Sequence, residues 1–529
     1  MTTSQAYDDL NRLTQISSQP AASGLPPVTF NYSYNSANQR TQDKLADGSY
    51  WVYQYDSLGQ VISGHKYFRD GTPMPGQQFD YGFDTIGNRT QTRAGGDQTG
   101  GNQRVANYSV NNLNQIISRD FPGTNDIVGA ALATNSVTLN GQPAWHKWEY
   151  FWGTVTTNNT AAPAWLTATV ASGGASNTGS VYLAQTPEQF SYDADGNLIS
   201  DGRWTYTWDA ENRLIGMAVN TAAGPQYQLT FAYDAKGRRM QKTLSTNGIS
   251  NTINFLYDGW NLVGILNSQS TLVQSFMWGS DLSGSPQGAG GVGGLLEVSS
   301  YGTGTSTTNS FTVFDGNGNI AALVNAADGT SLAGYEYGPF GEVIRATGPM
   351  AKTNPIRFST KYQDDESDLL YYGYRYYKAS TGTWVSRDPL TECGFDLLTT
   401  GHQASQNSSF SDGDGDTPNL NNFLTVGGPN SFAFVDNDPA NEIDGTGLVI
   451  VAFYGADVWG SGETFGANPE IKRIANYVGA LGPYRSLDIM DPFLKLQQFF
   501  LESVLKIQNA PIFLGIRLDW PAKKRMKMK

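Results

Sequence analysis

The sequence predicts a mainly β protein made of consecutive antiparallel hairpins, with a small α/β segment at its C-terminal end. Three observations carry this. A seven-residue phrase recurs from Tyr7 to Phe314: aromatic, Asp or Asn, two variable residues, Gly or Asn, a polar residue, then an apolar residue or Arg. The composition holds 60 Gly, 28 Tyr and 12 Trp against only 15% charged residues, which suits short strands and tight turns rather than helical bundles. After Leu448 the pattern changes to Pro-opened amphipathic stretches.

The phrase appears as YDDLNRL from Tyr7, YNSANQR from Tyr34, YDSLGQV from Tyr55 and FDTIGNR from Phe83. It returns as YDADGNL from Tyr192, WDAENRL from Trp208, YDAKGRR from Tyr233 and FDGNGNI from Phe314, with a looser YEYGPFGEV from Tyr335. Such repetition outranks any local reading. Each copy reads as a strand end, a tight turn with Gly or Asn at positive φ, and the start of the next strand. Asp56, Asp84, Asp193, Asp209 and Asp234 are then turn caps that accept backbone N–H groups, not catalytic carboxylates. The repeats fill residues 1–120 and 188–353.

Between them, residues 121–187 read as an inserted β-rich segment, from VTLNGQPAWHKWEYFW, LTATVASGG and GSVYLAQTP. Trp145, Trp148 and Trp152 cluster there, as either a core or a carbohydrate platform. Further on, Gly288, Gly290 and Gly293 spell a formal GxGxxG. The strand-like LLEVSS follows where a dinucleotide site needs a helix, so the stretch reads as a turn.

Residues 354–389 are the densest in aromatics. Tyr371, Tyr372, Tyr374, Tyr376 and Tyr377 fall together, and the period of two predicts one extended strand with Tyr372, Tyr374 and Tyr376 on one face and Arg375 and Tyr377 on the other. TGTW is expected to turn at Gly382. An insertion near 393–428 follows. Its Asp412, Asp414 and Asp416 have calcium-loop spacing, but Thr417 and Phe423 stand where that loop needs Gly and Glu, so a soluble insertion is expected.

Residues 449–529 read as a variable α/β segment. LVIVAFY is a strand, and Asn468-Pro469 opens a helix over PEIKRIANYVG. Asp491-Pro492 opens a second helix to about Gln508, with Leu496, Phe499, Phe500, Val504 and Ile507 on one face. PIFLGIRL is another strand. No G-x-S-x-G elbow occurs, and the segment has the look of an incomplete domain.

Net charge is −13 with pI about 4.7, which argues against nucleic acid as a partner of the repeat region. KKRMKMK, from Lys523 to Lys529, reads as a solvated tail. The single Cys393 forbids an intrachain disulfide, and His65, His146 and His402 are scattered, so no metal or other cofactor is expected. No apolar run has the ~20 residues of a transmembrane span. The first residues show no signal peptide and open inside a repeat, as in a short family member or a fragment of a longer reading frame.

NPIRFSTKYQDDESDLLYYGYRYY, TGTWVSRDPL and NSFAFVDNDPANEIDGTGL together resemble the RHS repeat-associated core domain of bacterial RHS/YD-repeat proteins of the polymorphic-toxin type. The resemblance covers residues 1–448, the core taking 354–448. It implies hairpins that wind into a shell, a core that closes it, and the C-terminal segment as a toxin-like cargo inside. It also implies a cut in the chain after Leu448 by two carboxylates sharing a proton. By motif position these are Asp388 and Asp444, with Arg387 in support. Gly445 stands where the family has Pro, and Thr383 where it has Arg. The resemblance further implies an immunity protein, secretion machinery, and a secreted or cell-surface location. Two alternatives stay open: an adhesion or carbohydrate-binding repeat protein, and a remnant without active cargo.

Overall fold

Each copy of the phrase closes a hairpin by the same set of bonds. In the first, Asp8 N–H donates to Arg12 O and Asn11 N–H to Asp8 O, while Asp8 Oδ1 accepts the N–H groups of Leu10 and Arg12 at 3.0 and 2.9 Å. Asn11 takes φ 60°, and the register slips between Ala6 and Tyr7. This is a type I turn followed by a left-handed bulge residue, which matches the twist of the two strands it joins. Asp56, Asp84, Asp193, Asp209 and Asp234 repeat the arrangement, each accepting the N–H four residues on.

In the computed structural model the described residues are 1–21, 24–302, 306–389, 430–448 and 450–452, the last three by backbone alone. They belong to the first of two units, residues 1–463. The insertion near 393–428, with Cys393, His402 and Asp412, Asp414 and Asp416, lies outside the described residues, as do the helices expected in the C-terminal segment.

The described chain is almost entirely antiparallel β, with helix confined to single turns such as Phe358–Thr360 and Val435–Asn437. The first repeats form an 11-stranded sheet in which neighbours in sequence are neighbours in space from Thr2–Tyr7 to Ile116–Arg119; Glu188–Gln189 adds the last strand. The second set forms a 14-stranded sheet from Ser191–Tyr192 to Val343–Thr347, again in sequence order. In such a meander alternate connections share one sheet edge. The turns at 8–12, 35–39, 56–60, 84–88 and 111–115 therefore line one edge of the first sheet.

Successive repeats are also tied through their aromatics. Tyr34 Oη donates to Leu13 O, Tyr55 Oη to Arg40 O and Tyr233 Oη to Leu214 O, each at 2.6 Å, so each ring packs between strands while its polar tip satisfies the preceding hairpin. The two sheets meet through Ile16, Phe30 and Tyr32 on one and Val313, Ala322 and Val324 on the other.

The segment between the sheets forms a three-stranded sheet from Thr124–Ala130, Trp145–Lys147 and Tyr150–Thr156, and a four-stranded one that includes Ala164–Ser172 and Ala175–Leu183. Trp145, Trp148 and Trp152 pack around Phe68, Met74 and Tyr150, and Trp152 Nε1 donates to Asp126 Oδ1 at 2.8 Å. All three tryptophans are half-buried against this small core.

The tyrosine-rich stretch departs from the single strand expected of it. Leu369–Tyr371 and Tyr376–Lys378 are two paired strands, and residues 372–375 turn between them with Gly373 at φ 109°. A Cβ on Gly373 would lie 3.1 Å from the Trp260 ring. The turn reverses the face assignment. Tyr371 and Tyr376 join the large core beneath the second sheet, whereas Tyr372 and Tyr377 pack with Phe358, Trp384 and Phe434 in a separate cluster.

Candidate self-processing site

The core segment sits against the turn edges of both sheets. Asn430 Nδ2 donates to Asn88 Oδ1 at 2.8 Å, Asn437 Nδ2 to Gln60 Oε1 at 3.0 Å, and Asn441 Nδ2 to Tyr55 Oη at 3.0 Å, so three asparagines follow neighbouring hairpins of the first sheet. Against the second sheet, Asp364 pairs with Arg239 at 2.6 Å and Lys242 at 2.9 Å. The Arg239 guanidinium is fully buried among Phe231, Phe255, Tyr362, Tyr371 and Tyr376.

The two motif aspartates, distant in sequence, meet on this platform. Arg375 lies at the end of the 372–375 turn, with its guanidinium 4.0 Å from the centre of the Trp384 ring. Its Nη2 stands 2.9 Å from Asp388 Oδ2 and 3.4 Å from Asp444 Oδ2. The same side chain donates from Nε to Gly447 O, and Tyr374 N–H donates to Thr446 O at 3.1 Å. Arg375 thus holds both carboxylates and the backbone just before Leu448.

Asp444 closes that backbone into a turn. Its Oδ1 accepts N–H from Thr446 at 3.0 Å, Gly447 at 2.6 Å and Leu448 at 3.1 Å. Burial pushes the Asp444 carboxyl above its ordinary range, against the pull of Arg375 and the three N–H groups. Burial also holds the Arg375 guanidinium below its usual value. The two aspartates differ in access, since the Asp388 side chain is 21% exposed and that of Asp444 only 2%. One carboxylate can therefore meet water while the other is shielded.

Arg387 is exposed, and its aliphatic stem crosses Gly196, where a Cβ would come within 2.4 Å of Arg387 Cδ. The cation between the aspartates is Arg375, which the sequence reading treated only as a strand residue. A lone Arg among five tyrosines was the available signal. Lys361 also reaches the site, with Nζ 2.6 Å from Gly445 O. Leu448 is described but Val449 is not, so the bond after Leu448 falls at the limit of the described residues. Among the described residues no group of three or more His, Cys, Asp or Glu is placed to hold a metal, and no helix is long and apolar enough to cross a membrane.

Residues 180–409 match the Teneurin YD-shell family. The repeated turn and the core segment that rests on it are similar to those of RHS/YD-repeat proteins. It is 23% identical over 446 residues to the toxin protein Tse5 of Pseudomonas aeruginosa, covering 78% of this chain and 28% of that protein. It is 32% identical over 205 residues to the tRNA3(Ser)-specific nuclease WapA of Bacillus spizizenii, covering 38% of this chain and 8% of that one. The double-stranded DNA deaminase toxin A of Burkholderia cenocepacia is 27% identical over 220 residues, covering 38% of this chain and 15% of its own length. The chain thus spans less than a third of each of these relatives.

Proposed function

We propose that the chain is the shell and self-processing core of a toxin-type RHS protein, holding residues 449–529 as cargo and cutting the bond between Leu448 and Val449. The observation that carries this reading is the meeting of Asp388 and Asp444 on one Arg375 nitrogen, with the Leu448 N–H bound to one of them.

The reaction is a hydrolysis. Asp388, the carboxylate with access to water, takes a proton from a water molecule as its oxygen attacks the Leu448 carbonyl carbon. Asp444, carrying the proton that the pair shares, donates it to the carbonyl oxygen and takes a proton back from the tetrahedral intermediate as the C–N bond to Val449 breaks. The proton gained by Asp388 passes to the leaving amine. Leu448 ends as a carboxylate and Val449 as a new amino terminus. Arg375 sets the spacing of the pair, the part Arg387 was expected to support.

The named relatives support the cargo reading by their diversity. A tRNA nuclease and a DNA deaminase are each similar to 38% of this chain while their printed activities differ, which fits a common container with the reaction in other sequence. In the same reading the protein is secreted or presented at a cell surface, uses secretion machinery, and has an immunity protein matched to its cargo. The three tryptophans on which the carbohydrate-binding alternative rests are half-buried against Phe68, Met74 and Tyr150.

N-terminal sequencing of the purified full chain tests the proposal. The expected result is a fragment beginning at Val449, lost in Asp388→Asn and Asp444→Asn. A fragment that survives both substitutions, or one that begins elsewhere, contradicts it.

A further inference from the structure

The glycine-rich stretch that resembles a nucleotide loop has another use. It joins strands Leu272–Trp278 and Leu295–Tyr301 by residues 279–294, a connection much longer than the repeat turns on the same sheet edge. Asp281, buried, organises it. Its Oδ1 accepts N–H from Ser283 at 3.0 Å, and its Oδ2 accepts N–H from Ala289 at 2.7 Å and Gly291 at 3.0 Å. Thr360 Oγ1 accepts Gly293 N–H at 2.8 Å and donates to Gly318 O at 2.6 Å, which ties the loop to the neighbouring repeat turn.

A loop anchored in this way presents a fixed surface, and that surface meets the cleavage turn. Gly290, at φ 60°, has no room for a side chain: a Cβ there would lie 1.9 Å from Gly445 O. A Cβ on Gly445 would lie 2.9 Å from Ala289 C. The two backbones are in direct contact, and Ala289, Val292 and Ile443 seal the contact as a small apolar cluster. Lys361 spans the joint, with Nζ 2.7 Å from Gly290 O and 2.6 Å from Gly445 O. The residue that departs from the family's Pro is therefore the one that touches the loop.

We infer that the 279–294 loop is a cradle that fixes the Asp444–Leu448 turn for self-cleavage, and that Lys361 is a positioning residue of that reaction. The inference rests on the self-cleavage reading above. Arg375 grips the turn from one side, at Asp444 and Gly447, and Lys361 with Gly290 grips it from the other, at Gly445. A reacting carboxyl must be held to within about 0.5 Å, and a shift near 1 Å costs on the order of 100-fold in rate. Lys361 also places a cation near Asp444, so its loss changes the charge balance there as well as the geometry.

The test follows cleavage of the full chain by intact mass, with melting curves as a folding control. Gly290→Ala and Lys361→Met are each expected to slow cleavage by about 10–100-fold. Lys361→Met should also move the Asp444 limb of the pH–rate profile to higher pH, which a merely structural role would not do. A second readout needs no cleavage: in an Asp388→Asn chain, adding Lys361→Met should speed amide exchange at Thr446, Gly447 and Leu448. If Gly290→Ala lowers the melting temperature, Lys361→Met decides. Cleavage of the wild-type chain with both variants at the wild-type rate overturns the cradle and leaves the self-cleavage reading standing. An uncut wild-type chain overturns that reading, and unchanged amide exchange in the double variant then overturns the cradle as well.

Discussion

Asp56 carries the logic of the repeat in one side chain. Its Oδ1 accepts the N–H groups of Leu58 and Gln60, each at 2.9 Å, and its Oδ2 accepts Gln60 Nε2 at 2.8 Å. Asn35, Asn111 and Asn267 do the same work in other turns with a neutral side chain. The hydrogen bonds therefore matter more than the charge. Asp56→Asn should change stability by less than about 0.5 kcal/mol, and Asp56→Ala should lower it by about 1–2 kcal/mol, as measured by urea unfolding. Equal losses for the two would assign the stabilisation to charge.

Glu442 shows the opposite case, a charge the fold does not accommodate. Burial, with Asp438 and Asp436 nearby, pushes its carboxyl up to about 9. The folded state therefore keeps a proton that the unfolded chain gives up above about pH 4.5. This group's contribution to stability is full below that pH and is lost as pH rises toward 9. Glu442→Gln should leave stability at pH 4 nearly unchanged and raise it at pH 8 by about 1–3 kcal/mol. Paired denaturation curves at the two pH values check this, and a larger gain at pH 4 would reverse the sign.

At the scale of the element, the turn was legible in the sequence because everything it needs is local. The cap, the left-handed residue and the aromatic lie within one phrase, as in Tyr7–Leu13. The bond from each aromatic to an earlier repeat was not legible, since it depends on register between hairpins. Tyr55→Phe removes the bonds to Arg40 O and Asn441 Nδ2 and should lower the unfolding free energy by about 1–2 kcal/mol. The tyrosine run departs from a single strand for a physical reason. Period-two reasoning presumes one continuous strand, and Gly373 at positive φ breaks it into a hairpin. Asp388 and Asp444, the pair proposed for self-cleavage, are named by their motifs alone. Arg375, Lys361 and the glycine-rich cradle were not legible, because each acts through contacts between segments far apart in the chain.

At the scale of the molecule, the core is bound to the sheets by buried polar groups as well as rings. Arg239, with no exposed side-chain surface, pairs with Asp364 inside a cage of aromatics. Removing one partner of such a pair leaves a buried charge uncompensated and typically costs about 3–5 kcal/mol. Asp364→Ala should show that loss, and it should reduce self-cleavage as well, because the platform that brings Asp388 to Asp444 rests on this anchor. The most direct measurement compares one sample of the full chain by mass spectrometry under denaturing and native conditions. Cleavage with retention of the cargo gives two polypeptides parted after Leu448 when denatured, and a single assembly near 57.4 kDa when native. One uncut polypeptide under denaturing conditions, or two separate species under native conditions, would contradict it.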